Sequence, residues 1–120
     1  MTTQETSERY QIPMAVLRAY ECWNLCGAGK MVMGQWRYDD TDLERLGTIM
    51  TLLDVGFTIQ EAEAYMRLQL EQNHTESQRL RMLEEKRGAA LNQIHTMERQ
   101  IQRLDDLRHE IRKHKDKQEG

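Results

Sequence analysis

Apolar residues recur at spacings of three and four positions along much of this chain, the spacing that lines one face of an α-helix. Residues 43–53 carry a stripe of leucine, isoleucine and methionine, and residues 62–70 carry a similar stripe. From Leu80 to Ile111 the repeat becomes a heptad pattern, with mostly apolar first and fourth positions, as in a coiled coil. The pattern therefore predicts an all-α chain that ends in one long helix.

Helix start signals divide the first 70 residues into short helices. Thr2 and Glu5 have the spacing of a capping box, in which each side chain pairs with a backbone donor at the helix start. Thr58 and Glu61 repeat that spacing. Pro13 suits the first position of a second helix, because its fixed φ is already helical. Two short helices joined by a turn have the outline of a helix-turn-helix.

The second helix is predicted to run from Pro13 to about Leu25, where glycine begins to interrupt the pattern. The sequence GAGK at residues 27–30 breaks the helix. Residues 31–38 then place valine, tryptophan and tyrosine around Gly34, which predicts a small hairpin or irregular wing.

The domain boundaries follow from two further breaks. Gly56 is placed to end the third helix as a left-handed cap, and residues 73–77 are polar. We therefore expect a headpiece at residues 1–72, a dimerisation helix at 76–115 and a disordered tail at 116–120.

The long helix cannot bury its apolar stripe alone. It would span on the order of 55 Å, and a headpiece of about 70 residues has too small a core to cover that length. A second copy of the chain is the simplest partner, which predicts a homodimer. Two arginines in the stripe are expected to fix pairing register or direction at some cost in stability. The predicted interface consists of Leu80, Leu83, Arg87, Ala90, Ile94, Met97, Ile101, Leu104, Arg108 and Ile111.

Composition narrows the class of protein. No apolar run approaches the roughly 20 residues of a membrane span, and the amino-terminus lacks the apolar core of a signal peptide. We therefore expect a soluble, cytoplasmic protein with no membrane partner. The formal net charge of −3 is uneven, since residues 1–72 hold six basic and eleven acidic residues while residues 73–120 hold eleven and nine.

Cys22 and Cys26 lie four positions apart and are the most obvious candidate site. Two thiolates can share a metal ion, but a closed tetrahedral site needs two further ligands, and no other Cys or His lies nearby in sequence. Buried free cysteine also behaves as a small apolar residue, which is the interpretation we favour. The four histidines fall on the predicted polar break and the outside of the long helix. We also find no phosphate-binding glycine loop, nucleophile motif or paired carboxylates, so the sequence predicts no metal, no cofactor and no enzyme.

Three ordered motifs in the first 70 residues resemble the MerR family of bacterial transcription regulators. The matching stretches are IPMAVLRAYE at residues 12–21, WRY at 36–38 with DLERL at 42–46, and GFT at 56–58 with Glu61. A long helix follows where the family has its dimerisation helix. The resemblance implies a winged helix-turn-helix headpiece and a homodimer joined by an antiparallel coiled coil.

The resemblance also implies a function and partners. Family members bind pseudo-palindromic promoter DNA and distort the duplex, in activators so that RNA polymerase engages both promoter elements. Such indirect readout balances protein–phosphate contacts against the cost of deforming DNA. The expected partners are therefore double-stranded promoter DNA, a second copy of the chain and RNA polymerase. The sequence names no small-molecule effector.

Carried over residue by residue, the resemblance assigns a DNA-binding set. The recognition helix would present Pro13, Met14, Ala15, Arg18 and Tyr20, and the wing would present Lys30, Trp36 and Arg37. Arg18 is the strongest candidate, because a guanidinium can grip phosphate or a guanine edge. Trp23 is expected in the core. Trp36 has two interpretations of equal weight, contact with the DNA backbone or packing against the headpiece.

Departures from the family pattern support an alternative function. Ala19 replaces a usual aromatic residue, Ala15 replaces a common polar one, and the headpiece is acidic. Because affinity for DNA rises with the number of neutralised phosphates, these features predict weak or selective binding. The alternative is a coiled-coil protein–protein interaction module that keeps the MerR-like fold without specific DNA binding.

Overall fold

The computed structural model describes residues 1–25, 30–32, 35–71 and 73–119, without the side chains of Lys30, Val32, Gln118 and Glu119. These residues form helices and one two-stranded antiparallel sheet. The elements are α1 (Thr3–Tyr10), α2 (Met14–Trp23), β1 (Lys30–Val32), β2 (Gln35–Arg37), α3 (Asp40–Asp54), α4 (Ile59–Leu70) and α5 (Glu76–Glu119). The predicted all-α class with a small wing is confirmed.

Side-chain caps fix the helix starts much as predicted. Thr58 and Glu61 form the predicted capping box, with Thr58 N–H donating to Glu61 Oε1 at 2.9 Å and Glu61 N–H donating to Thr58 Oγ1 at 3.1 Å. At the start of α1, Thr2 Oγ1 accepts Glu5 N–H at 3.2 Å. A further capping box joins Asp39 and Asp42 at the start of α3, where aspartate takes the usual place of glutamate. Such caps are each worth about 1 kcal/mol.

The ends of α2 are set by backbone conformation. Pro13 lies just before the helix, and its carbonyl accepts the N–H groups of Val16 at 3.0 Å and Leu17 at 3.3 Å. Asn24 ends the helix with a left-handed φ of 51°. The helix is thus slightly shorter at both ends than the sequence predicted.

The turn after α3 confirms the predicted glycine cap. Gly56 has a φ of 103°, a region that L side chains rarely adopt. Gly56 N–H donates to Leu53 O at 3.2 Å and Phe57 N–H donates to Leu52 O at 3.0 Å, the two bonds of a Schellman motif. Phe57 is buried and brings α4 back against α3.

One apolar core holds the headpiece elements together. Leu17 and Tyr20 of α2, Leu46 and Ile49 of α3, and Met66 of α4 are essentially inaccessible to solvent. The remaining buried apolar residues are Ile12, Val16, Trp23, Leu25, Tyr38, Leu52, Phe57 and Ala62. The expectation that Trp23 lies in the core is confirmed.

The chain divides into two compact units, Met1–Leu83 and Glu84–Gly120. The first unit extends past the predicted headpiece boundary at residue 72. Thr75 is buried and its hydroxyl donates to Leu68 O at 2.6 Å, while Met82 packs against the core. The first turns of α5 therefore belong to the headpiece.

The second unit is the rest of α5. The helix continues to Glu119, so the disordered tail predicted from residue 116 is wrong for residues 116–119. The last residues of α5 carry charges of both signs, as expected for a helix in water. Their basic side chains interact favourably with the negative end of the helix dipole. Across the described ranges, no helix has the length and apolar character needed to cross a bilayer.

Candidate nucleic-acid interface

The start of α2 shows one exposed face and one buried face. Val16, Leu17, Tyr20 and Trp23 point into the core at helical spacing. Between them lie the exposed positions, which are Pro13, Met14, Ala15 and Arg18. The core packing of α2 therefore presents four of the five predicted recognition-helix residues to solvent on adjacent turns.

Tyr20 is not on that face, and its assignment to the DNA-binding set is a mistake. Its side chain is 0% exposed, and its hydroxyl donates to Asp42 Oδ1 at 2.6 Å. Burial, and next the hydrogen bond to Asp42, raise the pKa of Tyr20 above its ordinary value. A neutral, buried phenol that is already bonded to a carboxylate cannot donate to a phosphate, so Tyr20 joins α2 to α3 instead.

The wing lies beside α1 and supplies the remaining predicted residues. Lys30 pairs with Arg37 in the antiparallel register, and Arg37 also bridges to Thr2. Arg37 is exposed, whereas the side chain of Lys30 lies outside the described part. Trp36 is half-buried and packs against the core, which is the packing interpretation of its role.

The acidic charge of the headpiece is not distributed evenly. Residues 1–38, which hold α1, α2 and both strands, carry four basic and three acidic residues. Residues 39–72 carry two basic and eight acidic residues. The acidic excess therefore belongs to α3, α4 and their flanking turns, outside the segment that holds the candidate contacts.

Polar contacts fasten α2 to three other segments. Glu21 Oε1 accepts Thr3 Oγ1–H at 2.9 Å and also accepts the hydroxyl of Tyr38. Burial, and next the hydrogen bond to Glu21, raise the pKa of Tyr38 above its ordinary value. At the carboxyl end of α2, Arg67 Nη2 donates to Trp23 O at 2.8 Å. No local sequence pattern indicates these contacts, because their partners are 17 to 44 positions apart in the chain.

The cysteines do not form a described metal site. Cys22 is exposed on α2, so the interpretation as a buried apolar residue is wrong for Cys22, and Cys26 lies outside the described residues. Among the residues that the structure describes, no three His, Cys, Asp or Glu side chains are grouped to hold a metal ion.

An exposed, mostly apolar stripe runs along α5. All ten residues of the predicted interface from Leu80 to Ile111 are exposed, from 37% at Leu83 to 69% at Ile111 among the large apolar ones. Leu91 and Leu107 are also exposed and flank the heptad seam. The prediction omitted them because they fall beside its first and fourth positions. Together these side chains form an uncovered strip along the helix.

Comparison with known proteins places this fold. A family model described as the MerR helix-turn-helix family of regulatory proteins matches residues 1–69. No curated protein matches the chain significantly.

Two solved structures share the fold. The crystal structure of HiNmlR, described as a MerR family regulator lacking the sensor domain and bound to promoter DNA, is 24% identical with a TM-score of 0.66. That match covers 87% of this chain and 83% of HiNmlR. A MerR family transcriptional regulator from Bacillus thuringiensis is 18% identical with a TM-score of 0.62, and the match covers 88% of this chain and 94% of that one. At these identities the likeness is evidence for the fold, and the family model independently covers more than half of the chain. The protein therefore belongs to the MerR family of helix-turn-helix regulatory proteins.

Proposed function

We propose that the protein binds promoter DNA as a homodimer and regulates transcription by distorting the duplex. The observation that carries this proposal is the exposed start of α2, with Arg18 on it and the wing beside α1, in a fold shared with a regulator solved on promoter DNA. The major groove of B-DNA is about 12 Å wide and accepts one α-helix.

Arg18 is the proposed main contact of α2 with DNA. It is exposed, and its guanidinium has the fixed charge and paired donors that suit a guanine edge or a phosphate. Pro13, Met14 and Ala15 on the preceding turn would approach the groove with little polar chemistry. Specificity would therefore come from few direct contacts together with the shape of the duplex.

The wing would address the flanking backbone. Arg37 and Lys30 are paired across the two strands, so both basic residues lie at the same end of the sheet. Contacts of this kind position the protein on DNA without reading sequence. We retain Trp36 in the proposal only as the residue that packs the wing on the headpiece.

The homodimer is proposed from the uncovered strip on α5. In an antiparallel pair, first positions of the heptad face fourth positions of the partner, so Arg87 and Arg108 each face an apolar residue. An arginine stem can cover apolar surface while its charged head reaches water. Two joined headpieces would match the two half-sites of a pseudo-palindrome.

RNA polymerase remains the expected further partner, on the family resemblance alone. The alternative of an interaction module without DNA binding has lost its main motivation, since ten of the eleven acidic residues of the headpiece lie outside α2 and the wing. The family and the two solved neighbours are regulators, in keeping with a protein that has no enzymatic activity.

The test is fluorescence polarisation with fragments of the promoter region of its own gene, in the presence of competitor DNA. Arg18→Ala should weaken specific binding by roughly 1 to 3 kcal/mol, whereas Arg99→Ala, on the exposed surface of α5 outside the heptad seam, should leave it unchanged. Full-strength binding by Arg18→Ala would reject α2 as the recognition helix. A stable dimer without specific binding by the unaltered protein would restore the interaction module as the function.

A further inference from the structure

Two consecutive residues of α2 hold the segment that leaves the wing. Tyr20 bonds to Asp42, whose other carboxylate oxygen accepts Asp39 N–H at 3.0 Å. Glu21 bonds to Tyr38, the residue between β2 and that capping box. The path of the chain from the wing into α3 is therefore fixed against the helix that carries Arg18.

Glu21 also joins a third segment, the amino-terminus. Its Oε1 accepts the hydroxyl of Thr3, the first residue of α1. Tyr38 N–H donates to Met1 O at 2.8 Å, and the amino group of Met1 donates to Tyr38 O at 3.2 Å. One carboxylate oxygen is thus the point where α1, α2 and the base of the wing meet.

The negative charge of Glu21 opposes DNA binding. Glu21 lies one turn after Arg18 on the helix proposed to contact DNA, where a carboxylate repels phosphates. Electrostatics alone would favour a neutral residue there. Its two accepted hydrogen bonds have an ionised acceptor, which makes them stronger than neutral ones.

We propose that Glu21 is a positioning residue of the DNA interface. Its carboxylate sets the angle between α2 and the wing, so that Arg18 and Arg37 reach the duplex in the same pose. This inference rests on the proposed function. It requires that Glu21 favour specific binding although its charge opposes binding to any DNA.

Two substitutions of Glu21 distinguish the effect of its hydrogen-bond acceptor from the effect of its negative charge. Glu21→Gln removes the charge but keeps an acceptor oxygen at the same place, so specific affinity should stay within about threefold. Glu21→Met has similar length and no strong acceptor, so specific affinity should fall by roughly tenfold. Affinity for random DNA at low salt should be equal or higher in both variants. Glu44→Met, at an exposed position of α3, is the control for the loss of a negative charge and should leave specific affinity unchanged.

Tyr38→Phe tests the same contact from the other side and removes a single hydroxyl. It should weaken specific binding in the same direction, and adding it to Glu21→Met should cause little further loss, because both changes break one contact. If Glu21→Met does not fold, Tyr38→Phe decides the question, and unchanged specific affinity in that variant would overturn the proposal.

Hydrogen exchange gives a readout that does not depend on DNA. Loss of the contact should speed exchange of the β2 amides, Gln35–Arg37, while α4 amides keep their rates. If the unaltered protein shows no specific DNA binding, the proposed function fails, and the exchange rates alone decide whether Glu21 holds the wing. A folded Glu21→Met protein with unchanged specific affinity and unchanged β2 exchange would overturn the positioning role.

Discussion

At the scale of single residues, burial separates the side chains that can touch DNA from those that shape the site. Tyr20 lies three or four positions from Val16, Leu17 and Trp23, so helical periodicity alone places it on the apolar stripe. Only the family resemblance assigned it to DNA. The periodicity was the better guide here, because the hydroxyl finds its partner inside the fold. For Arg18 the two lines of reasoning agree.

Tyr20→Phe should destabilise the folded protein by about 1 to 3 kcal/mol. The change removes the only polar atom of a buried side chain and leaves Asp42, which is 1% exposed, without the Tyr20 donor. Denaturant unfolding at a fixed protein concentration measures the loss. Tyr10→Phe is the matched control, because Tyr10 is 45% exposed and should tolerate the change. Equal stability of the two variants would show that the bond to Asp42 contributes nothing net.

At the scale of elements, the sequence predicted the helix caps that residues close together in the chain form. The Thr58–Glu61 box and the Gly56 cap each involve residues within five positions, and both are present. The box at Asp39 was missed, because aspartate at its fourth position departs from the usual glutamate. Contacts of Glu21 and Arg67 depend on how helices pack, which the sequence pattern does not contain.

Two glycines, one in the middle of α3 and one in the turn after it, should respond to alanine with opposite signs. A Cβ added at either Gly47 or Gly56 meets nothing within 4 Å, so space does not distinguish them. Gly47 is inside the helix, where alanine should stabilise by roughly 0.5 to 1 kcal/mol. Gly56 has its φ at +103°, so alanine there should destabilise by about 1 kcal/mol or more. Unfolding midpoints of the two variants check the signs. A gain in stability for Gly56→Ala would mean that the turn adopts another conformation.

At the scale of the whole molecule, net charge is a poor guide to DNA binding. The chain is acidic overall, yet residues 1–38 have a small basic excess. The amino-acid sequence alone gives the charge of the headpiece as one block, because it does not show which elements share a surface. The structure divides the charge by element and removes the main objection to DNA binding.

The salt dependence of specific binding should reflect this small basic set. Arg18, Lys30 and Arg37 in each of two protomers would neutralise up to about six phosphates, which predicts a slope of log K against log salt of about −5. Arg37→Ala should reduce the slope by roughly 2, one unit for each protomer, and weaken binding evenly across sequences. Arg99→Ala should leave the slope unchanged. An unchanged slope for Arg37→Ala would remove the wing from the set of phosphate contacts.

The uncovered strip on α5 is the feature of the molecule that most clearly requires a partner helix. Ile94 is 50% exposed in the single chain and lies in the heptad seam, so the proposed partner helix would bury it. Ile94→Glu would place a carboxylate at that buried seam in both copies, at a cost of roughly 3 kcal/mol or more. Sedimentation over a concentration series should therefore show a dimer for the unaltered protein and dissociation at much higher concentration for the variant.

Loss of the dimer should also weaken DNA binding. Two linked headpieces gain affinity from their effective concentration at paired half-sites, and separate protomers lack that gain. Asn92→Glu adds the same charge two positions away, outside the heptad seam, and should leave both the dimer and specific binding intact. A variant Ile94→Glu that sediments as the unaltered dimer would place the interface elsewhere. Loss of the dimer with full retention of specific affinity would instead show that one headpiece suffices to recognise the promoter, and the half-site argument would then be wrong.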